Sequence, residues 1–178
     1  MEDTLASLEA KVGAMSEDDA VDRIRRQWET ERPDLDVSPS GLIGRLHRVA
    51  DRLRVELVRL YAQYGLGEGE FDILATLRRA GAPFEMAPGA LAQRTMVTTG
   101  AVSKRLDRLE EAGLVERRRS EADGRARVVA LTPAGRALID DAFTAHVRNE
   151  HRLVAALDPV ARAELERHLR TWMRELDA

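Results

Sequence analysis

The stretch Met86–Leu131, MAPGALAQRTMVTTGAVSKRLDRLEEAGLVERRRSEADGRARVVAL, decides the fold. Pro88–Arg94 reads as a short helix opened by proline, whose missing N–H costs nothing at a first helical position. Thr95–Val97 interrupts the helical pattern with β-branched residues at both ends and reads as a turn. Thr98 or Thr99 caps a second helix that runs to Ala112. Its Val102, Leu106 and Leu109 follow the i, i+4, i+7 rule and must face a core. Gly113 stands where a helix C-terminus wants a left-handed residue. The opposite face carries Thr99, Ser103, Lys104 and Arg108, small polar or cationic side chains free to touch something. One helix supports and the next reads, which is the logic of a helix-turn-helix.

Leu114–Arg119 and Arg127–Leu131 follow as two strand-like runs, joined by the turn-rich Ser-Glu-Ala-Asp-Gly-Arg at 120–125. A helix-turn-helix followed by a β-hairpin is a winged helix. Asp123 is placed to brace the hairpin tip and Arg125 to project from it. Arg94, Lys104, Arg105, Arg108, Arg117, Arg118, Arg119, Arg125 and Arg127 concentrate positive charge here, diluted by Asp107, Glu110, Glu111 and Glu116. Duplex DNA rewards such clustering by phosphate neutralisation and counterion release. Helix pair, wing and charge together imply a double-stranded DNA partner, met by Thr98, Thr99, Ser103, Lys104, Arg108 and Arg125.

Composition bounds the rest. The 178 residues are 44% hydrophobic and 33% charged, with net charge −3 and pI about 5.9. That is one helix-rich globular chain, in which locally concentrated positive charge can still serve DNA. No run of about 18 apolar residues marks a membrane span. The acidic, polar start MEDTLASLEAKVG is not a secretory signal, so a cytoplasmic location is expected. The chain has no cysteine, which removes disulfides, thiolate metal sites and thiol redox sensing. His47, His146, His151 and His168 have no metal-ligand spacing and read as surface or satisfied histidines. No metal or other cofactor is expected.

Outward from the winged unit, helices dominate. Residues 1–16 hold little apolar content and suit disorder. Glu17–Glu31 reads as a helix capped by Ser16, with Val21, Ile24 and Trp28 on one face, and it stops before Arg32-Pro33. Pro39–Tyr64 is a long helix whose stripe (Leu42, Leu46, Val49, Leu53, Leu57, Leu60, Tyr64), widened by Ile43, Ala50 and Val58, implies burial on more than one side. Glu68–Arg79 is the next helix, with Phe71, Leu74, Ala75 and Leu77 as core. Thr132-Pro133 opens a helix running to about Leu157, and Asp158-Pro159 opens the last one. The expected organisation is an N-terminal extension (1–38), a helical dimerisation region (39–65 and 133–178) and a winged DNA-binding region (66–132). The fold class is mainly α with a small β-hairpin wing. Terminal helices too apolar for a lone chain imply an intertwined homodimer, which would present two reading helices about one DNA turn apart to a palindromic operator.

The order of elements, with the wing followed by Val-Ala-Leu-Thr-Pro-Ala-Gly-Arg at 129–136, resembles the MarR family of dimeric winged-helix transcription regulators over nearly all of residues 39–177. Where that family commonly has an Asp-Arg-Arg wing tip, this chain has Asp123, Gly124 and Arg125, which leaves a minor-groove contact there to Arg125 alone. The added N-terminal helix and Trp-Glu-Thr-Glu-Arg-Pro-Asp-Leu-Asp at 28–36 resemble the urate-responsive branch of the family. The resemblance implies effector-binding roles for Trp28, Asp72, Arg79 and Arg117.

The residues support a pocket in their own right. Asp72 and Arg79 lie two turns apart on one helix face, about 10 Å along the axis. Neither has an opposite charge three or four residues away within the helix, so an ordinary i, i+4 pair is ruled out. A tertiary salt bridge and an anion pocket roofed by Trp28 remain the two readings. Arg117, on the first wing strand, equally suits a phosphate contact. The expected function is a ligand-responsive DNA-binding regulator, a repressor released by a small anionic metabolite, urate-like or a polycarboxylate. The alternative is a ligand-independent architectural DNA-binding protein. An enzyme is not expected, for there is no glycine-rich cofactor loop, no nucleophile with a partner base and no segment left for a catalytic domain.

Overall fold

The computed structural model describes residues 18–95, 99–120 and 126–177, with 99–101 as backbone alone. The chain forms two compact units, Met1–Arg54 and Val55–Ala178. The cap expected at Ser16, Thr98 as one of the two alternative caps of the second helix of the helix-turn-helix, and the wing tip with Asp123 and Arg125 lie outside the described residues.

In the first unit, helix α1 spans Ala20–Glu31 and helix α2 begins at Pro39, running on to Ala62. Asp18 and Asp19 precede α1 instead of filling its first turn. Asp19 is the cap: its carboxylate accepts the N–H groups of Val21 at 2.7 Å and Asp22 at 3.0 Å, while Asp22 accepts the Asp19 N–H at 3.3 Å. This reciprocal box satisfies three free N–H groups, which is why the helix starts there. From α2, Arg45 donates to Asp19 at 3.0 Å and to Asp22 at 2.6 Å, locking the box to the second helix. The helices approach closely at Gly44, where an added Cβ would lie 3.1 Å from Val21 Cγ1. Val21 is the buried residue of α1, whereas Ile24 and Trp28 are exposed. Leu42, Ile43, Val49 and Leu53 of α2 are exposed as well. The burial on several sides expected of this helix is therefore not made within one chain.

The second unit holds the end of α2, then α3 (Glu68–Arg79), β1 (Glu85–Met86), α4 (Pro88–Arg94), α5 (Thr99–Glu111), β2 (Val115–Arg119), β3 (Arg127–Leu131), α6 (Pro133–Leu153) and α7 (Pro159–Leu176). The strands form an antiparallel sheet in the order β1-β3-β2, with Val115 opposite Leu131, Arg119 opposite Arg127 and Glu85 opposite Ala130. β1 has no counterpart in the sequence reading, since two residues cannot display a period of two. The core gathers Ile73, Leu74 and Leu77 of α3, Leu91 of α4, Val102, Leu106 and Leu109 of α5, Val115 and Val129 of the wing and Ile139 of α6. Each such side chain is worth about 1.5–3 kcal/mol by transfer from water. The supporting and reading helices are thus held rigidly against α3.

Gly113 ends α5 at φ +68°, the left-handed cap expected there. Thr132 then ties three elements together. Its hydroxyl donates to the Gly113 carbonyl at 2.7 Å and accepts the Gly135 N–H at 3.0 Å, and its own N–H reaches the Leu114 carbonyl at 3.1 Å. α6 stops at Leu153, short of the expected Leu157, because the N–H of Ala155 turns back to Arg152 and that of Leu157 to Val154. These are i−3 bonds, which tighten the chain out of the helix. Asp158 caps α7 by accepting from Val160 and Ala161 at 2.9 Å. α7 buries no residue in the single chain, and Val160, Leu165, Met173 and Leu176 are all exposed.

Candidate functional site

On α5 the apolar stripe is sunk in the core, with Val102, Leu106 and Leu109 almost fully buried. Helical geometry then turns Ser103, Lys104 and Arg108 outward, and all three are exposed. The side chain of Thr99, expected on this face, lies outside the described residues. Lys104 has no ion pair among the described residues. Arg108 stands 3.6 Å from Glu70 but remains 74% exposed, a loose hold that leaves it available. Glu70 is itself committed to the start of α3, where it accepts the Gly67 N–H at 2.7 Å.

The wing adds a second cationic feature. Arg118 crosses the sheet, reaching Glu85 of β1 at 2.7 Å and Glu116 at 3.1 Å, and so stiffens it. Arg119 and Arg127 are exposed and directly opposed as cross-strand partners at the loop end of the hairpin. Like charges opposite one another destabilise a sheet. A phosphate between them would turn that cost into attraction. Sequence reading found the two arginines singly. Their pairing needed the strand register.

The four residues expected to bind an effector are distributed as follows. Arg79 Nη1 lies 3.9 Å from Asp72, the outer limit of an ion pair, and its Nη2 donates to the Arg94 carbonyl at the end of α4 at 2.9 Å. Asp72 is mostly buried and Arg79 mostly exposed, with side-chain exposures of 19% and 58%. The two-turn spacing is thus spanned by the length of the arginine itself. Arg117 is engaged with the reading helix. It donates to Asp107 at 2.6 Å and to Glu110, which also accepts the Arg117 backbone N–H at 2.9 Å. The Asp107 hydrogen bond, then Glu110, raises the guanidinium pKa above its ordinary value. Trp28 belongs to the first unit, where it is 54% exposed.

Arg79 also lines a cleft of about 530 Å³ between α3 and α6, with Arg78, Asp140, Phe143 and Thr144 around an apolar floor of Ala75 and Ile139. Arg78 donates to Asp140 at 2.6 Å. Two guanidiniums, one carboxylate and an exposed phenyl ring suit a small planar anion. Sequence reading missed Arg78 and Phe143. Phe143, four residues after Ile139 and so on the same helix face, is the sequence signal that could have pointed there.

Beside this cleft sits an aromatic cluster. Tyr61 stacks on Phe71 with ring centroids 4.0 Å apart, and its hydroxyl lies 3.1 Å from His146 Nδ1. His146 Nε2 is 3.1 Å from Glu150, so this histidine is a satisfied one. Burial first, then the nearby Glu150, Glu68 and Asp72, pushes the Tyr61 phenol up to about 12. Among the described residues no group of histidine and carboxylate side chains is arranged to hold a metal ion, and no helix is long and apolar enough to cross a membrane.

A winged helix-turn-helix with an outward cationic reading face defines a class, the DNA-binding regulators. Residues 64–126 match the MarR family. The chain is 40% identical over 157 residues to the HTH-type transcriptional regulator PecS of Dickeya dadantii, covering 88% of this chain and 92% of that one. Among solved structures it is similar to AbsC, a MarR family transcriptional regulator from Streptomyces coelicolor (TM-score 0.69, 26% identity, 80% of this chain and 97% of that one). It is also similar to a mutant of MarR from E. coli complexed with operator DNA (TM-score 0.62, 25% identity, 81% and 96%). The chain belongs to the MarR family of winged-helix transcriptional regulators, which are DNA-binding proteins and not enzymes.

Proposed function

We propose that this MarR-family regulator is a dimeric repressor that binds a palindromic operator in the cytoplasm and is released by a small planar anion, urate-like or a polycarboxylate. The observation that carries the reading is the position of Arg79. One guanidinium bonds the last carbonyl of the supporting helix α4, faces Asp72 and lines the α3–α6 cleft. An anion that draws Arg79 into the cleft withdraws it from Arg94 and loosens the support of the reading helix.

In this reading Thr98, Thr99, Ser103, Lys104 and Arg108 face the major groove. Arg125 reaches the minor groove or backbone, and Arg119 with Arg127 clamps a phosphate. Asp72, Arg79 and Arg117 respond to the effector. Arg117 does so by exchanging Asp107 and Glu110 for ligand charge, which uncouples wing from helix. Trp28 takes the effector role implied for the urate-responsive branch. Residues 39–65 and 133–178 form the dimer, whose motive is the exposed apolar faces of α2 and α7. Sedimentation at low micromolar concentration should give about twice 19.9 kDa.

A ligand weakens DNA binding only as far as it prefers the conformation that fits DNA less well. Coupling of this kind is typically 1–3 kcal/mol, a fall in DNA affinity of about 5- to 150-fold. A gel-shift titration with urate and with citrate, on wild type and Arg79→Ala, tests it. The variant should bind operator normally and resist release. Release of both proteins at the same ligand concentration would move the effector away from Arg79. No release of wild type by either anion would overturn the ligand class.

A further inference from the structure

Where the start of α3 meets the flank of the reading helix α5, one arginine lacks an acceptor. Gly69 of α3 is buried, and Arg105 of α5 lies against it. A Cβ added at Gly69 would stand 2.3 Å from Arg105 Nε, 2.6 Å from Cζ and 2.8 Å from Cδ. Only glycine lets the guanidinium lie this close to the helix backbone. Arg105 Nη1 is buried and makes no hydrogen bond, and Arg105 has no ion pair among the described residues. A buried donor left unmade costs stability. The next residue along α3 is Glu70, whose side chain is only 14% exposed. Its Oε2 accepts the Gly67 N–H at 2.7 Å, and its Oε1 faces Arg108 Nη1 at 3.6 Å. Arg108 stands three residues after Arg105 on α5, so the two guanidiniums flank the same carboxylate-bearing turn of α3. Asp72, further along α3, faces Arg79 instead.

We infer that Arg105 is the reserve partner of Glu70 and a positioning residue for DNA binding: when DNA draws Arg108 away from Glu70, Arg105 takes over the carboxylate that Arg108 leaves. The inference rests on the DNA contact proposed for Arg108. Without a reserve, Arg108 reaches DNA only by stranding a mostly buried carboxylate, and that cost opposes binding. With one, a guanidinium replaces a guanidinium, and the donor left unmade in the free protein is satisfied in the complex. Arg105 therefore lowers the stability of the free chain and raises its affinity for DNA. A residue that merely packs would move both quantities the same way.

The test is a double-mutant cycle, read as affinity for duplexes that the wild type selects from a random-sequence pool, with thermal melting of each free protein beside it. Arg105→Met keeps an apolar stem over Gly69 and removes the guanidinium. Its melting temperature should stay level or rise, while DNA affinity falls about tenfold with the salt slope unchanged, since no phosphate contact is lost. Glu70→Gln leaves no carboxylate to be stranded, and Arg108→Met leaves no partner to be withdrawn. In either background, adding Arg105→Met should change DNA affinity by less than about twofold. Arg105→Lys restores a cation and should recover affinity to within about threefold of wild type. Should Arg105→Met fail to fold, Arg105→Gln takes its place in every arm. A loss that persists in Glu70→Gln, with a salt slope shallower by about one, would overturn the inference and make Arg105 a direct phosphate contact. Melting lowered together with DNA affinity would overturn it in favour of simple packing, and undiminished affinity would leave Glu70 with no reserve. If Arg108→Met binds the selected duplexes as wild type does, the DNA contact of Arg108 fails and the exchange with it. The other failures leave that contact standing, so the two readings fail separately.

Discussion

Gly135 is the position at which one added methyl group should do most harm. It sits in the first turn of α6, and a Cβ built there would lie 1.9 Å from the Leu114 carbonyl oxygen and 2.8 Å from its carbonyl carbon. Contact between such atoms becomes favourable only near 3.5 Å, so the gap must open by roughly 1.5 Å. The obstacle is backbone and cannot rotate away. Leu114 joins α5 to β2, and its carbonyl also accepts the Thr132 N–H at 3.1 Å. Displacing it strains the Thr132 junction that ties α5, the wing and α6 together. Two effects oppose each other in Gly135→Ala. Alanine favours the helix by up to about 1 kcal/mol, while overpacking costs about 1–3 kcal/mol and more when backbone must move. The second should win by about 1–2 kcal/mol, lowering the melting temperature by roughly 2–8 °C for a chain of this length. Gly89→Ala is the control. Gly89 lies within α4, and a Cβ there meets nothing within 4 Å, so that variant should be neutral or stabilised by up to about 1 kcal/mol. Calorimetry of the three proteins decides. Gly135→Ala melting at or above the wild-type temperature would refute the account of the junction.

Lys104→Ala should cost on the order of 1–3 kcal/mol at some operator positions if the lysine reads a base; a uniform loss with a shallower salt slope would instead mark a phosphate contact, and no loss on any sequence would mean that another face of α5 meets DNA. The carboxylates of Asp19 and Asp22 are held below the ordinary aspartate range, Asp19 chiefly by the Asp22 backbone N–H and Asp22 chiefly by the Arg45 guanidinium. Their contribution is full above the ordinary aspartate pKa and is lost as pH falls through it toward the lowered folded values. Acid should therefore release α1 from α2, and Arg45→Ala should flatten that acid dependence in helicity and melting. Tyr61, with its phenol pushed up to about 12, works in the opposite direction. Stability should decline as pH rises from about 10, where unfolded tyrosine ionises, until the folded phenol itself ionises. Spectrophotometric titration should find this tyrosine ionising late, and a normal midpoint for both tyrosines would contradict its burial.

What the chain determined by itself is local. The apolar spacing of Val102, Leu106 and Leu109 dictated which face of α5 is sunk and therefore which face is left exposed. Proline at 88, 133 and 159, with Thr132 and Asp158 before two of them, set where three helices begin, since a cap acts over one turn and needs no distant partner. Gly113 likewise announced its left-handed turn. The start of α1 was read too early because two overlapping runs of capping residues compete there, and Asp19 wins through a partner, Arg45, that lies 26 residues on. β1 escaped notice because two residues have no period. They are a strand only because β3 offers an edge.

The candidate effector residues show the same division. Their types and spacing along α3 were legible, but what each one holds was not. Arg79 faces Asp72 and the end of α4, Arg117 is clasped by the reading helix, and Arg78 and Phe143 complete a cleft. Which acceptor a long guanidinium chooses is decided by donors and acceptors brought together from other elements, as when Arg79 takes the Arg94 carbonyl and Arg78 takes Asp140. Only the packed tertiary structure supplies that, because hydrogen bonds and ion pairs depend on ångström distances that periodicity along a sequence does not encode.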